Sequence, residues 1–133
     1  MIVPVTAVFA AILGLLLLVL SLQVVRFRFK YRLGMGSNDD PAFEAAIRAH
    51  GNFVEYAPLA LIMLGLAELN GVASGLIYWT GMALVLGRIL HAFGMINGEG
   101  RPHKARALGI LLTWLSILVT AVLLFWNVYQ VNG

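Results

Sequence analysis

Strongly polar residues recur on one face of a segment otherwise suited to a lipid bilayer. Within FEAAIRAHGNFVEYAP (residues 43–58), Arg48, Asn52 and Glu55 fall in a stripe of about 60° at 100° per residue, flanked by Glu44 and Tyr56, with His50 opposite. Glu44, Arg48, Asn52 and Glu55 are spaced 4, 4 and 3 apart, so one helix can turn all four toward a shared crevice. Charged groups at bilayer depth normally face a bundle interior or a wet cavity. An ion pair that only fixes helix packing is the plainer reading. The residue types argue for more: Arg48 offers a planar fork for a carboxylate, Asn52 a donor and an acceptor for a peptide group, and Glu55 a counter-charge for an ammonium. Such a set suits a zwitterionic, peptide-like ligand. His50, facing away, is assigned to packing or an interhelical hydrogen bond.

Two further groups could complete such a site. Arg88, His91 and Met95 are spaced 3 and 4 apart, again on one helical face. Arg88 either pairs with Glu55 or Glu44 or contacts the ligand, because a buried arginine left unpaired is costly. Arg101, His103, Lys104 and Arg106 cluster just before a long apolar run. Arg101 and Lys104 are explained equally well by topology and headgroup contacts. Arg106 sits just inside the run, where a low dielectric strengthens its field and would lower the pKa of a bound thiol. Other chemistries lack their residues. His50, His91 and His103 form no metal-ligand motif. Ser74, Thr113 and Ser116 have no neighbouring His and acid for a hydrolase triad. Gly87, Gly94, Gly98 and Gly100 lack the context of a phosphate loop and suit close helix packing and a turn.

The elements that must hold these residues are membrane helices. The 133-residue chain is 61% hydrophobic and 11% charged, with a mean hydropathy of +0.91, against roughly 25% charged in soluble domains. It has no cysteine, so a reacting thiol has to come from a substrate. The net charge of +3 does not indicate nucleic acid, since the basic residues flank apolar spans and form no aromatic-interleaved basic surface. Length allows a single all-α domain of four spans, predicted at about residues 2–25, 41–69, 73–96 and 104–129. Arg26 to Arg32 alternates basic and aromatic residues at the end of the first span, as an interfacial helix end does. Breaks fall at GMGSNDD (34–40), at Asn70-Gly71 and at NGEGRP (97–102). All nine Lys and Arg residues lie in or near the first and third loops, which predicts both loops on the cytoplasmic side and both termini across the membrane.

These residues resemble a known signature. Arg48-x-x-x-Asn52-x-x-Glu55, followed by Tyr56 and Pro58, is similar to the second-helix motif of the MAPEG family, the membrane-associated proteins of eicosanoid and glutathione metabolism. Ser21-Leu-Gln-Val24 with Arg28, Arg88-x-x-His91 and Arg106-x-x-Gly109 extend the resemblance over roughly residues 20 to 113. It implies a homotrimer of four-helix subunits in a bacterial-type inner membrane, with glutathione as co-substrate bound between subunits near the cytoplasmic side. Carried over, Arg28, Arg48 and Asn52 would hold glutathione carboxylates and backbone, and Glu55 its amino group. Tyr56 and His91 match further contacts, and Arg88 joins the binding set. Arg106 would stabilise the thiolate, with Arg101 and Lys104 as alternatives. Family enzymes often carry a tyrosine one turn beyond the position of His91; this chain has Met95 there, which cannot donate a hydrogen bond. The resulting expectation is a membrane glutathione transferase or peroxidase of lipophilic electrophiles or hydroperoxides. The alternative is a non-enzymatic binding or scaffold protein of the same fold, and a small transporter or channel subunit is a weaker third.

Overall fold

The structure, a computed structural model, describes residues 1–132 and the side chains of residues 1–130. Four helices account for nearly all of it: α1 (Pro4–Tyr31), α2 (Pro41–Leu69), α3 (Ser74–Gly98) and α4 (Lys104–Asn132), with no strand among the described residues. At 1.5 Å per residue even the 25-residue α3 is roughly 37 Å long, enough for the roughly 30 Å hydrocarbon core of a bilayer. All four are apolar enough to span it. The result is a membrane four-helix bundle. The central element is α3: half of its most apolar stretch (50%) is buried, against 22% for α1 and for α4. Among the described residues, helix α1 packs on α2 and α3 and its backbone does not come close to that of α4.

The first helix runs through the basic and aromatic residues that close its apolar span. Phe27 and Tyr31, one turn apart, stack on Phe43 of α2 with ring centroids 5.0 and 5.9 Å away. Helical spacing puts these two rings about 40° apart and turns Phe29, which is exposed, about 160° away, whereas a strand would set all three on one face. Arg32 then ends the helix in a left-handed conformation (φ 52°), its N–H bonded to the Arg28 carbonyl. Asp40 caps α2 through its Oδ1, which accepts from the Ala42 N–H at 2.9 Å, and its Oδ2 accepts from the Tyr31 hydroxyl. Pro41 occupies the first turn, where its missing N–H is not needed.

At the opposite end, Glu68 performs a capping task across helices. Its two carboxylate oxygens accept from the backbone N–H groups of Val5 and Thr6 at 2.9 and 2.7 Å. Helix α1 has no side-chain cap of its own, so the only charged residue near this loop settles on the positive end of its dipole. Asn127 of α4 secures the same end, donating to the Asn70 carbonyl at 3.0 Å.

Helices α3 and α4 run antiparallel in near backbone contact. A Cβ added at Gly94 would lie 2.2 Å from the Arg106 nitrogen, and one at Gly109 would lie 2.3 Å from the His91 nitrogen. Small residues allow this approach, which dispersion and polar contacts hold where no hydrophobic force acts between helices. Ser116 adds a hydrogen bond to the Thr80 carbonyl at 3.1 Å. The core-facing stripe of α2 runs through Ala49, Phe53, Ala57, Ala60, Leu64 and Ala67. It lies about 120° around the helix from the polar stripe, so the polar stripe occupies a side of α2 directed away from the centre.

Candidate functional site

The polar stripe of α2 is divided by its own width. Asn52 lies on the edge nearest α3 and is half-buried, whereas Glu44, Arg48 and Glu55 remain exposed on the single chain. Asn52 uses that position to accept, through Oδ1, from Nη1 of Arg88 at 2.8 Å. Arg88 is 1% exposed, its Nε donates to the Thr113 hydroxyl at 2.9 Å, and its guanidinium carbon lies 5.5 Å from the centre of the Tyr56 ring. The Thr113 hydroxyl in turn donates to the Gly109 carbonyl at 2.9 Å. Arg88, Asn52, Thr113 and Tyr56 thus link α2, α3 and α4 at one level.

No carboxylate joins this network; among the described residues no Lys or Arg lies within 4.0 Å of an acid. The sequence suggests Glu55 or Glu44 as the partner of Arg88, and the structure gives it neutral oxygens and an aromatic face. Its Nη2 is buried without a hydrogen-bond partner. Arg88 therefore stands behind the stripe and acts on it by holding Asn52.

One turn toward the basic loops, residues of three helices converge. A cleft of about 270 Å³ is lined by Glu44, Ala45 and Arg48 of α2, Met95 of α3, the junction residues Glu99 and Gly100, Pro41, and Arg106 of α4. The contact of Gly94 with the Arg106 backbone fixes this arrangement, because it sets the first turn of α4 directly against α3. Arg106 also borders a second depression, of about 660 Å³, lined by His103, Lys104, Ala107 and Ile110 among others. Of the three cations considered for thiol activation, only Arg106 shares a cleft with Arg48. Lys104 lines only the second depression, and Arg101 lines a neighbouring one that shares Pro41 and Glu99 with the cleft. His91, 4% exposed, lies within the electrostatic reach of both Arg88 and Arg106.

Two expected site residues are elsewhere. Arg28 turns to the α1–α2 corner, where its Nη1 donates to the Gly36 carbonyl at 2.6 Å and its guanidinium covers the Phe43 ring at 4.7 Å. Phe43 is about 140° around α2 from Arg48, so within one chain Arg28 and Arg48 address different sides. Glu55 is on the outer surface of α2 with no partner among the described residues. Sequence reasoning passed over Glu99. Its signal was present: Arg88, His91, Met95 and Glu99 continue the spacings 3, 4 and 4 along α3 into the junction.

The MAPEG family model matches residues 6–126, a span that contains the stripe, the network and the basic cleft. The chain belongs to the MAPEG family. It is 34% identical over 122 residues to the inner membrane protein YecN of Escherichia coli strain K12, an alignment covering 92% of this chain and 91% of the relative. The counterpart from Escherichia coli O6:H1 gives the same figures. With four apolar spans and these relatives, this MAPEG protein is a multi-pass protein of the bacterial inner membrane.

Proposed function

We propose that this MAPEG protein binds glutathione in the cleft between Arg48 and Arg106 and joins it through its sulfur to lipophilic electrophiles, or reduces hydroperoxides with it. The observation that carries the reading is the convergence of these two arginines, from different helices, on a cleft that also contains Glu44 and Glu99. Such a mixture of charges suits a zwitterion with two carboxylates and one ammonium. The volume of about 270 Å³ falls just below the roughly 300–1,000 Å³ range of small-molecule sites. Arg48 and Glu55 are exposed on the single chain. Both features are explained if a second copy, bringing its own Arg28, completes the site in a homotrimer.

The chemistry asked of the residues is limited. Arg106 stabilises the thiolate after the thiol proton leaves to water, raising the fraction of nucleophile at neutral pH. Arg48 and Asn52 orient the peptide, with Arg88 positioning Asn52 from behind. The thiolate then forms a C–S bond as the leaving group departs with its electron pair. Alternatively it attacks the terminal oxygen of a hydroperoxide: the O–O bond breaks, and the alkoxide takes a proton from water and leaves as the alcohol. The sulfenic acid formed on glutathione then condenses with a second glutathione to give the disulfide and water. The apolar partner approaches along Ala107 and Ile110, which adjoin Arg106 on its other side.

Titrating the purified protein with glutathione while following thiolate absorbance in the ultraviolet, and assaying a panel of electrophiles and hydroperoxides, tests this directly. Saturable binding with a thiolate signal is expected. Absence of both binding and turnover overturns it. A second reading is favoured by Met95, a side chain without a proton to donate in the cleft wall: a non-enzymatic binding or scaffold protein. Saturable binding without a thiolate signal or turnover would select it.

A further inference from the structure

On the outer face of α1 a groove of about 380 Å³ is lined by Gln23, Arg26, Phe27 and Lys30. Gln23, Arg26 and Lys30 fall within about 60° of one another around the helix, and Val19 continues the same strip toward the membrane centre. Val19, with its neighbours Leu15 and Leu22, is 60 to 65% exposed. The groove is separate from the cleft of the proposed reaction, with which it shares no lining residue.

Both cations in the groove are uncommitted to acids. Arg26 makes no hydrogen bond or ring contact among the described residues. Lys30 rests its ammonium over the Tyr31 ring at 4.7 Å and the Phe27 ring at 5.8 Å, and it is exposed. The carboxylate of Asp40, which acts on Lys30 electrostatically, already accepts from the Tyr31 hydroxyl and the Ala42 N–H.

We propose that this groove binds the phosphate of an anionic phospholipid, with an acyl chain lying along Leu15, Val19 and Leu22. Arg26 and Lys30, one turn or about 6 Å apart along the axis, bracket a phosphodiester from two sides. Phe27 lies at the depth where aromatic rings sit among headgroups. Gln23, a turn deeper, provides an amide for the ester region. A zwitterionic lipid carries the same phosphate, but its ammonium meets two cations and no free acid. A soluble phosphate would use the cations and leave the apolar strip unused. The proposal does not depend on the glutathione reading.

Native mass spectrometry of the full-length protein in neutral detergent tests it, with phosphatidylglycerol, phosphatidylcholine or glycerol phosphate added in turn. Phosphatidylglycerol is expected to be retained well above phosphatidylcholine. Arg26→Gln and Lys30→Gln are each expected to lower that retention about fivefold, and Arg26→Lys to preserve it. Arg32→Gln removes one charge at the same interface without touching the groove and is expected to change retention less than twofold. Equal retention of the two lipids, an equal loss in Arg32→Gln, or displacement of the lipid by glycerol phosphate at matched concentration would each overturn the assignment. Circular dichroism and gel filtration of each variant separate loss of binding from loss of fold.

Discussion

Arg106 and Met95 line one cleft from different helices, and their chemistry is opposite: one fixes a charge, the other offers a polarisable sulfur and no proton. If Arg106 stabilises the thiolate, Arg106→Ala should raise the pKa of bound glutathione by about one unit or more, a shift worth about 1.4 kcal/mol per unit. The pH dependence of thiolate absorbance would show it. Arg101→Ala, in the adjoining depression and outside the cleft lining, should shift that titration less than Arg106→Ala does. Met95→Tyr supplies the missing donor. One added hydrogen bond of roughly 0.5–1.5 kcal/mol should tighten glutathione binding by about two- to tenfold, measurable by calorimetry. Arg88 carries a different expectation. Asn52→Ala withdraws the oxygen at 2.8 Å from a buried guanidinium, and the unsatisfied charge should cost about 1–3 kcal/mol of stability. The thermal midpoint should fall even without ligand.

Helix ends and helix contacts set where those residues can be. Gly94 allows the first turn of α4 to lie against α3 closely enough that a Cβ would overlap the Arg106 backbone. Since backbone cannot rotate aside as a side chain can, Gly94→Ala should push this turn away and cost about 1–3 kcal/mol. It should also weaken glutathione binding as Arg106 leaves the cleft, and calorimetry paired with thermal unfolding would detect both. The α1–α2 corner has a pH dependence of defined sign. Asp40 has its carboxyl pKa held below the usual range, chiefly by the Tyr31 hydroxyl, with the Ala42 and Phe43 amides and Lys30 adding to it against desolvation. A depressed native pKa means that the stabilisation is complete above the ordinary carboxylate range, near pH 4, and is lost as the pH falls through the native value. Unfolding of the protein and of Asp40→Asn followed from pH 7 to pH 3 should therefore converge at the acid end.

For the molecule as a whole, the distribution of charge orients the chain. The Lys and Arg residues lie in or near the first and third loops, while at the other end Glu68 is absorbed by the N-terminus of α1. Both basic loops are therefore proposed to be cytoplasmic. Reporter fusions at either terminus should be active only outside the cytoplasm, and cytoplasmic activity at both ends would reverse the topology. The orientation brings the Arg48–Arg106 cleft to the side where a cytosolic thiol would enter. It also places Arg26 and Lys30 at the leaflet whose anionic lipids attract juxtamembrane cations.

Much of this protein can be read from the linear chain because a bilayer leaves few structural options. Apolar runs of sufficient length must be helices, since backbone groups in hydrocarbon have no other partner within their own segment. The four-helix class, the spacing of the α2 stripe and the MAPEG resemblance all follow from local order and composition. Helical spacing also places Glu44, Arg48, Asn52 and Glu55 near one another in angle, but it does not say which edge of the stripe faces a neighbour. Only the packing decided that Asn52 meets Arg88, that Glu55 stays outside and that Arg28 turns to the α1–α2 corner. Likewise, Arg101, Lys104 and Arg106 are equivalent by composition. They are distinguished by the contact of Gly94 with the first turn of α4, which admits Arg106 alone to the cleft of Arg48. The periodicity of a helix is local and can be counted along the sequence. The distance of closest approach between two helices depends on which small residues happen to oppose each other, and that is known only once the chain has folded.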